Sequence, residues 1–373
     1  MIVVIADDIT GAAEIAGVGL RYGLKVELST SVNVALPNVQ LWVVALNTRS
    51  MGSKEAENSI TITVRHLIEA GIIDIFKKTD SVLRGHIVKE LAAQLRAEGK
   101  KKVILCPANP EGERKIVSGV YMINNIPISE TNFAKDPEFP ISTSVVKEIL
   151  DDILLKENNI RILDTSSIED LHEAAKQQDN ETILAGSAAF FSAYLDNRKL
   201  MINPVMSIIP EFSEVLYVCG STYDKSKQVV EKARDGGAKV AYISPLWLDE
   251  PDLDTKLNNC ALWLVRMLEG GAKPILAVDA PVINGREATT KIKDAVSEVV
   301  KKVLSLVSVN ELVVEGGATA FAIVEALNYN RFTPISELAK GVVRMKINEM
   351  NDMYITIKPG SYEFPETVWK FSK

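Results

Sequence analysis

Short apolar, β-branched runs alternate along this chain with segments whose apolar residues fall at helical spacing. That alternation constrains the fold more than any single motif. The runs Ile2 to Ala6, Lys25 to Ser29, Leu41 to Leu46, Ile72 to Phe76 and Lys102 to Cys106 read as strands, most of them apolar throughout as buried strands are. Between them, Thr10 to Tyr22 stops at Gly23, Lys54 to Ala70 stops at Gly71, and Ile87 to Ala97 carries a third helical pattern. Glycine just past the last periodic residue is an ordinary helix stop. Strand and helix in alternation mean an α/β fold, a mostly parallel sheet with helices on both faces.

At 373 residues the chain exceeds one ordinary core, so two such domains are expected, residues 1–205 and 213–373. The first continues with helix Val145 to Lys156, strand Ile160 to Leu163, helix Ser167 to Gln177 and strand Thr182 to Ala185. Asn203 to Phe212 reads as a linker. The second runs through strand Val215 to Cys219, helix Lys225 to Asp235, strand Lys239 to Ser244 and helix Thr255 to Glu269. Strand Pro274 to Asp279, helix Glu287 to Val307, strand Glu311 to Val314, helix Ala318 to Leu327 and a strand-rich end complete it. Asn109 to Pro140 is rich in Pro and Asn with little periodicity. A stretch that long inside a compact domain is usually functional or mobile.

Composition narrows the function classes. A hydrophobic share of 47% and a charged share of 24% are those of an ordinary soluble globular protein. The net charge of −7 argues against a nucleic-acid partner, which would select a basic face. No apolar run approaches the ~20 residues that cross a bilayer. Met1 to Ala6 is too short for a signal peptide, so a cytoplasmic location away from membranes is expected. Cys106, Cys219 and Cys260 lack metal-ligand spacing and read as reduced thiols. Nothing in the sequence fixes the oligomeric state, and a homodimer is allowed.

The chemistry-bearing residues of the first half gather at strand ends. Phe76-Lys77-Lys78-Thr79-Asp80-Ser81-Val82-Leu83-Arg84-Gly85 packs two kinds of cation, a carboxylate and a hydroxyl into one strand-to-helix connection. In an open α/β sheet such connections lie at the ligand-binding edge. Lys78 and Arg84 can neutralise a carboxylate or phosphate, while Asp80 and Ser81 hydrogen-bond hydroxyls. Capping of the next helix accounts for some of these residues but hardly for all. Asp7 and Asp8 follow the first strand, where one carboxylate can accept a proton from a hydroxyl. Asp and Thr are also common N-caps, and capping explains one of the two as well as function does. Arg49, in Asn47-Thr48-Arg49-Ser50, follows the third strand and suits bidentate binding of a carboxylate. Taken alone it reads more readily as a solvated loop arginine. Arg114, Thr131 and Lys135, in the long loop, can close over a ligand, and ordinary surface-loop chemistry explains them equally well.

In the second half, Cys219-Gly220-Ser221-Thr222 and Glu315-Gly316-Gly317-Ala318-Thr319 are small-residue turns opening helices, and Lys358-Pro359-Gly360-Ser361 follows a late strand. Backbone N–H groups in such turns favour phosphate, although a lone Gly-Gly-x-Thr is usually just a tight strand-to-helix turn. The P-loop spacing is absent. His66, His86 and His172 form no ligand set, and no metal site is legible.

Together these motifs resemble the four-carbon acid sugar kinase family. The likeness covers nearly the whole chain in order: Ala6-Asp7-Asp8-Ile9-Thr10-Gly11, Thr48-Arg49-Ser50, Lys78 to Gly85, the Pro107-Ala108-Asn109-Pro110 loop, Glu130-Thr131 to Asp136-Pro137, then Gly220-Ser221, Gly316-Gly317-Ala318-Thr319 and Lys358-Pro359-Gly360. The resemblance implies an ATP-dependent kinase, working with Mg²⁺, that phosphorylates the terminal hydroxyl of threonate, erythronate or 3-oxo-tetronate. It implies a sugar-acid-binding N-terminal domain and a nucleotide-binding C-terminal domain. By matching motif, Asp8, Arg49, Lys78, Thr79, Asp80 and Ser81 would contact the substrate, with Asp7 and Arg84 beside them. Ser221, Gly316, Gly317, Ala318, Thr319 and Gly360 would contact ATP. Arg49 and Lys78 would hold the carboxylate, and Asp8 or Asp80 would accept the proton. Val82 and His86 stand where the family usually has Thr and Asn, Glu113 is inserted before Arg114, and Asn132 and Lys135 replace an acid and an arginine. The wording around Phe133 leans towards threonate and erythronate kinases. The rival readings are a sugar-acid or nucleotide-binding module without catalysis, and a sugar-phosphate hydrolase built on Asp7 and Asp8.

Overall fold

Every residue of the strands Ile2–Ala6, Leu41–Ala45 and Thr182–Gly186 is buried, as uninterrupted apolar runs require when helices cover both sheet faces. The computed structural model describes residues 1–136, 139–200, 211–220, 224–279, 285–360 and 362–371. The chain divides into two units, Met1–Val205 and Met206–Lys373.

The first unit runs β1 (Ile2–Ala6), α1 (Ile9–Arg21), β2 (Val26–Ser29), β3 (Leu41–Ala45), α2 (Ser53–Glu69), β4 (Ile75–Lys78), α3 (Ile87–Glu98) and β5 (Lys102–Cys106). It continues with β6 (Arg114–Val117), β7 (Val120–Ile123), β8 (Ile126–Pro127), α4 (Val146–Ile149), α5 (Asp152–Glu157), β9 (Ile160–Ile162), α6 (Ile168–Ala175), β10 (Thr182–Gly186) and α7 (Ala188–Asn197). Its main sheet has the order β2-β3-β1-β4-β10-β5-β9, parallel throughout. Alternation along the strands sorts the core. Val3, Ile5, Trp42 and Val44 pack with Ile60, Val64 and Leu67 of α2. Phe76, in register with Val4, meets Phe190, Phe191 and Tyr194 of α7 on the other face.

The second unit runs β11 (Val215–Cys219), α8 (Asp224–Asp235), β12 (Val240–Ile243), α9 (Leu253–Glu269), β13 (Ile275–Val278), α10 (Arg286–Leu306), β14 (Glu311–Glu315), α11 (Gly317–Ala326), β15 (Arg331–Ala339), β16 (Val342–Ile347) and β17 (Tyr354–Lys358). β12-β13-β11-β14-β17 are parallel, and β16 and β15 continue antiparallel.

Both units share one winding order. In each, the second and third strands lie on one side of the first and the fourth on the other. The connections therefore diverge between β1 and β4, and again between β11 and β14. Such a switch point opens a crevice at the carboxyl ends of the strands, where ligands bind in open α/β sheets.

Three sequence expectations shift. The strand expected over Ile72 to Phe76 runs later, Ile75–Lys78, so Lys77 and Lys78 belong to the sheet rather than to a loop. The helix expected over Val145 to Lys156 is two, broken at Asp151, which has φ +63° and accepts from the N–H groups of Ile153 and Leu154. The aperiodic stretch from Asn109 contains the antiparallel β6-β7-β8 meander. Its turns, Ser118-Gly119 and Asn124-Asn125, all have positive φ, the geometry of tight hairpins. The linker expected over 203–212 lies, as far as residue 210, outside the described residues. Among the described residues, no helix is long and apolar enough to cross a membrane.

Candidate active site

The first crevice is built from three strand tips. Asp7 and Asp8 follow β1, Arg49 sits in a helical turn just past β3, and Thr79 and Asp80 follow β4. Asn47, left-handed at φ 54°, turns the chain so that Arg49 faces back towards β1. Arg49 Nε donates to Asp7 Oδ2 at 2.8 Å, and its Nη2 lies 2.7 Å from the same oxygen. That Nη2 also lies 3.1 Å from Asp8 Oδ1 and 3.3 Å from Asp80 Oδ1. One guanidinium thus gathers three aspartates. Arg49 is half-buried in this cluster, with 13% of its side chain exposed, and is not a solvated loop residue.

Successive lysines of β4 face opposite sides of the sheet. Lys77 pairs with Glu90 of α3 at 2.8 Å, on the face of Ile5 and Asp7. Lys78 donates to Thr79 O at 3.0 Å and lies 3.6 Å from Glu14 of α1, on the face of Asp8. Both lysines are buried, which they tolerate only with carboxylate partners. Glu14 and Glu90 escaped the sequence reading. Glu90 was detectable as a charge on the apolar face formed by Ile87, Val88 and Leu91.

Asp8 is the N-cap of α1, accepting from Gly11 N at 2.8 Å and from the Thr10 hydroxyl. A Cβ on Gly11 would stand 2.8 Å from Asp8 Oδ1 and 3.0 Å from Lys78 Nζ, so glycine is needed there. Asp80 does not cap α3, whose N-cap is His86. It instead accepts from Val82 N at 3.2 Å and Arg84 N at 3.1 Å and holds its own loop. Arg84 grips both its oxygens, Nε at 3.0 Å and Nη2 at 2.9 Å, and reaches Asp136 at 3.2 Å. The long segment therefore packs on this loop. Arg114 donates to Ser81 Oγ, and the Tyr121 hydroxyl to Ser81 O. His86 bonds Met51 O at 2.9 Å and meets Phe139 edge-on, a supporting position beside the cluster. Tyr121 and Asp136 were not singled out from sequence as site residues.

The three aspartates differ electrostatically. Burial pushes the Asp7 carboxyl up against the pull of Arg49, with the neighbouring Asp8 adding to the rise. Burial acts on Asp8 too, but Arg49, Lys78 and the capping bonds outweigh it and hold it low. Asp80 is held far below the usual range, because Arg49 and Arg84 overwhelm its burial. Asp7 Oδ1 and Thr79 Oγ1 are buried with no hydrogen-bond partner. Unsatisfied buried polar atoms are costly, and these two lie at the first crevice.

The second crevice is lined by main chain. Gly316, at φ 98°, donates to Lys358 O at 2.9 Å, joining the β14 and β17 tips where Gly317, Ala318, Thr319 and Gly360 lie. A Cβ on Gly220 would stand 2.0 Å from Thr319 Oγ1. α11 begins at Gly317 with no side-chain cap and no acid in its first turn, so its first N–H groups are available to an anion. Beneath the turns, Glu315 Oε1 accepts from Lys358 at 2.6 Å and from Ser226 at 2.8 Å, all three residues buried. This brace was not foreseen. Ser221 lies outside the described residues. Among the described residues no group of three His, Cys, Asp or Glu is arranged to hold a metal ion.

The sequence matches a sugar-binding N-terminal domain over residues 2–154 and a nucleotide-binding C-terminal domain over residues 216–362. It is 33% identical over 152 residues to the D-threonate kinase of Salmonella typhimurium, covering 40% of this chain and 36% of that protein. It is 23% identical over 407 residues to the 3-oxo-tetronate kinase of Actinobacillus succinogenes, covering 97% of this chain and 96% of that protein. A solved Haemophilus influenzae protein shares the fold with a TM-score of 0.69 at 19% identity, over 97% of both chains. With both domain families matched in order, the chain belongs to the four-carbon acid sugar kinase family.

Proposed function

We propose that the protein transfers the terminal phosphoryl group of ATP to the terminal hydroxyl of a four-carbon sugar acid such as threonate or erythronate. The observation that carries this reading is the convergence of Asp7, Asp8 and Asp80 on Arg49, with Asp7 Oδ1 left without a partner. Residues 1–205 bind the sugar acid and residues 213–373 the nucleotide.

Asp7 is the proton acceptor best suited by its surroundings. Its carboxyl is the one that rises, whereas Asp8 is occupied as a cap and Asp80 is a weak base between two guanidinium groups. Asp8 and Asp80 fix Arg49 and the 79–85 loop. Arg49 is already met by three carboxylates, so the substrate carboxylate falls to Lys78 and Arg114. Arg114 has a hydroxyl partner and no carboxylate partner among the described residues. Thr79 and Ser81 hydrogen-bond the sugar hydroxyls. The N–H groups around Gly316, Gly317, Ala318 and Thr319, with Gly360, cradle the phosphates. Mg²⁺ carried on the triphosphate would supply neutralisation of its charge. Phosphoryl transfer rests mainly on such positioning and electrostatics.

The test is ADP release over threonate, erythronate and 3-oxo-tetronate. ADP formed only with an acceptor supports a kinase. Phosphate released without one identifies a hydrolase, and ligand binding without turnover a binding module.

A further inference from the structure

Two buried charges of the first unit have no part in holding a substrate. Lys77 of β4 and Glu90 of α3 form an ion pair of 2.8 Å, both side chains almost fully buried. Lys77 is the register partner of Ile5, two residues before Asp7, so its side chain rises from the strand beside Asp7. Strand spacing and rise put the two Cα atoms about 8 Å apart, within the joint span of a lysine and an aspartate side chain. The ammonium also donates to Lys78 O at 3.2 Å, which turns it towards the carboxyl ends of the strands, where Asp7 lies.

Packing alone does not call for this pair, because apolar side chains of the same volume usually serve a core as well or better. The carboxylate edge beside it is also empty. Asp7 Oδ1 is buried with no hydrogen-bond partner, while Arg49 takes Oδ2 through Nε and Nη2. An ammonium this close would ordinarily satisfy such an oxygen. Here Glu90 claims it instead. The charges that act on Asp7 are those of Arg49, Asp8, Lys77 and Glu90, and the last two oppose one another. Loss of the Glu90 charge would leave Lys77 buried and unpaired, with an open acceptor in Asp7 Oδ1.

We propose that Glu90 is a positioning residue for phosphoryl transfer: it holds the Lys77 ammonium away from Asp7 Oδ1 and keeps that oxygen free for the sugar-acid hydroxyl. The hydroxyl gives its proton to Oδ1 as its oxygen bonds to phosphorus and ADP leaves. The inference rests on Asp7 as the proton acceptor and adds what keeps that acceptor open. Glu90 acts through Lys77 only.

The test uses the full chain, with Asp7→Asn, Glu90→Gln and the double variant Lys77→Met with Glu90→Leu. ADP release with the best acceptor among threonate, erythronate and 3-oxo-tetronate gives kcat, KM and the pH profile of kcat for each variant that keeps the wild-type circular dichroism. The inference expects Glu90→Gln to lower kcat at least about tenfold, with KM for the sugar acid within about threefold. Lys77 resting on Asp7 should also draw the acid limb of kcat at least about one pH unit lower, a movement that lost packing does not produce. The double variant, with no ammonium to contain, should regain kcat to within about threefold of wild type. Unchanged kcat or an unmoved acid limb in folded Glu90→Gln overturns the inference, as does a double variant closer to Asp7→Asn than to wild type. Should Glu90→Gln misfold, the double variant decides by that comparison. Should both misfold, the wild-type acid limb decides: above 3.8 it supports an Asp7 free of the ammonium, and below 3.8 it overturns the inference. Near-normal kcat in Asp7→Asn overturns the Asp7 reading instead, and wild type that releases no ADP with any acceptor overturns the kinase reading, which separates the failures.

Discussion

Lys77 and Glu90 form an ion pair of 2.8 Å at 1% and 2% side-chain exposure, directly beneath Asp7. Each charge is stranded without the other, so the pair is asymmetric to mutation. Lys77→Met is expected to destabilise the protein by about 3–5 kcal/mol, and Lys77→Met with Glu90→Leu to recover most of that loss. Urea denaturation of the three variants checks it. A double variant as unstable as the single would show that the lysine acts through packing alone.

Asp7→Asn is expected to lower kcat by about 10²–10⁴ while sugar-acid binding, followed by thermal shift, persists. Because the folded carboxyl lies above its ordinary value of 3.8, its ionisation opposes folding at neutral pH. Stability from this group is full below 3.8 and is lost as pH rises through the folded value. The asparagine variant should therefore melt higher than wild type at pH 7. For the same reason the acid limb of wild-type activity should lie above 3.8.

Asp80 has the opposite sign. Its folded carboxyl lies far below 3.8, so its contribution is complete at neutral pH and fades as pH falls below 3.8. Asp80→Asn should lower the neutral melting temperature, flatten the loss of stability between pH 4 and 2, and collapse turnover with ATP binding intact. Near-normal turnover would remove Asp80 from the mechanism.

Arg114→Ala should raise KM for the sugar acid at least about tenfold with a smaller change in kcat, the pattern of lost ground-state binding. A neutral four-carbon polyol, offered as a poor acceptor, should lose little. Equal losses on both acceptors would place Arg114 in loop support through Ser81 rather than on the carboxylate.

Gly220→Ala should weaken ATP binding without touching sugar-acid binding, because a Cβ there drives into Thr319 at the head of α11. Calorimetry with each ligand separately reads the difference.

The alternation of apolar runs with helical spacing made the strands and most helices legible, because parallel strands buried on both faces have no polar interruptions to confuse the pattern. It failed where charge entered the sheet. Lys77 and Lys78 looked like loop residues since their partners, Glu90 and Glu14, sit on helices that only the fold brings near. The 118–119 and 124–125 turns were hidden by shortness, as strands of four residues or fewer leave too little pattern to register. In the site, Asp7, Asp8, Arg49 and Asp80 were each visible, and their convergence on one guanidinium depends on the order β3-β1-β4. Which aspartate stays unsatisfied was not readable, since it depends on Asp8 being taken up as a helix cap and Asp80 by its own loop. The Ser226–Glu315–Lys358 brace joins residues far apart in the chain and had no local signature.

The shared winding order of the two halves leaves their connections free to vary. Each crevice is edged by connections that leave the sheet and return, so a connection can lengthen while the strands behind it keep their pairing. The β6–β8 meander is such an enlargement: it hangs between β5 and β9, is stitched by two hairpin turns, and carries Arg114 and Tyr121 to the crevice. Exchange of that one flap would therefore reshape the first crevice and leave the strand pairing of both sheets unaltered.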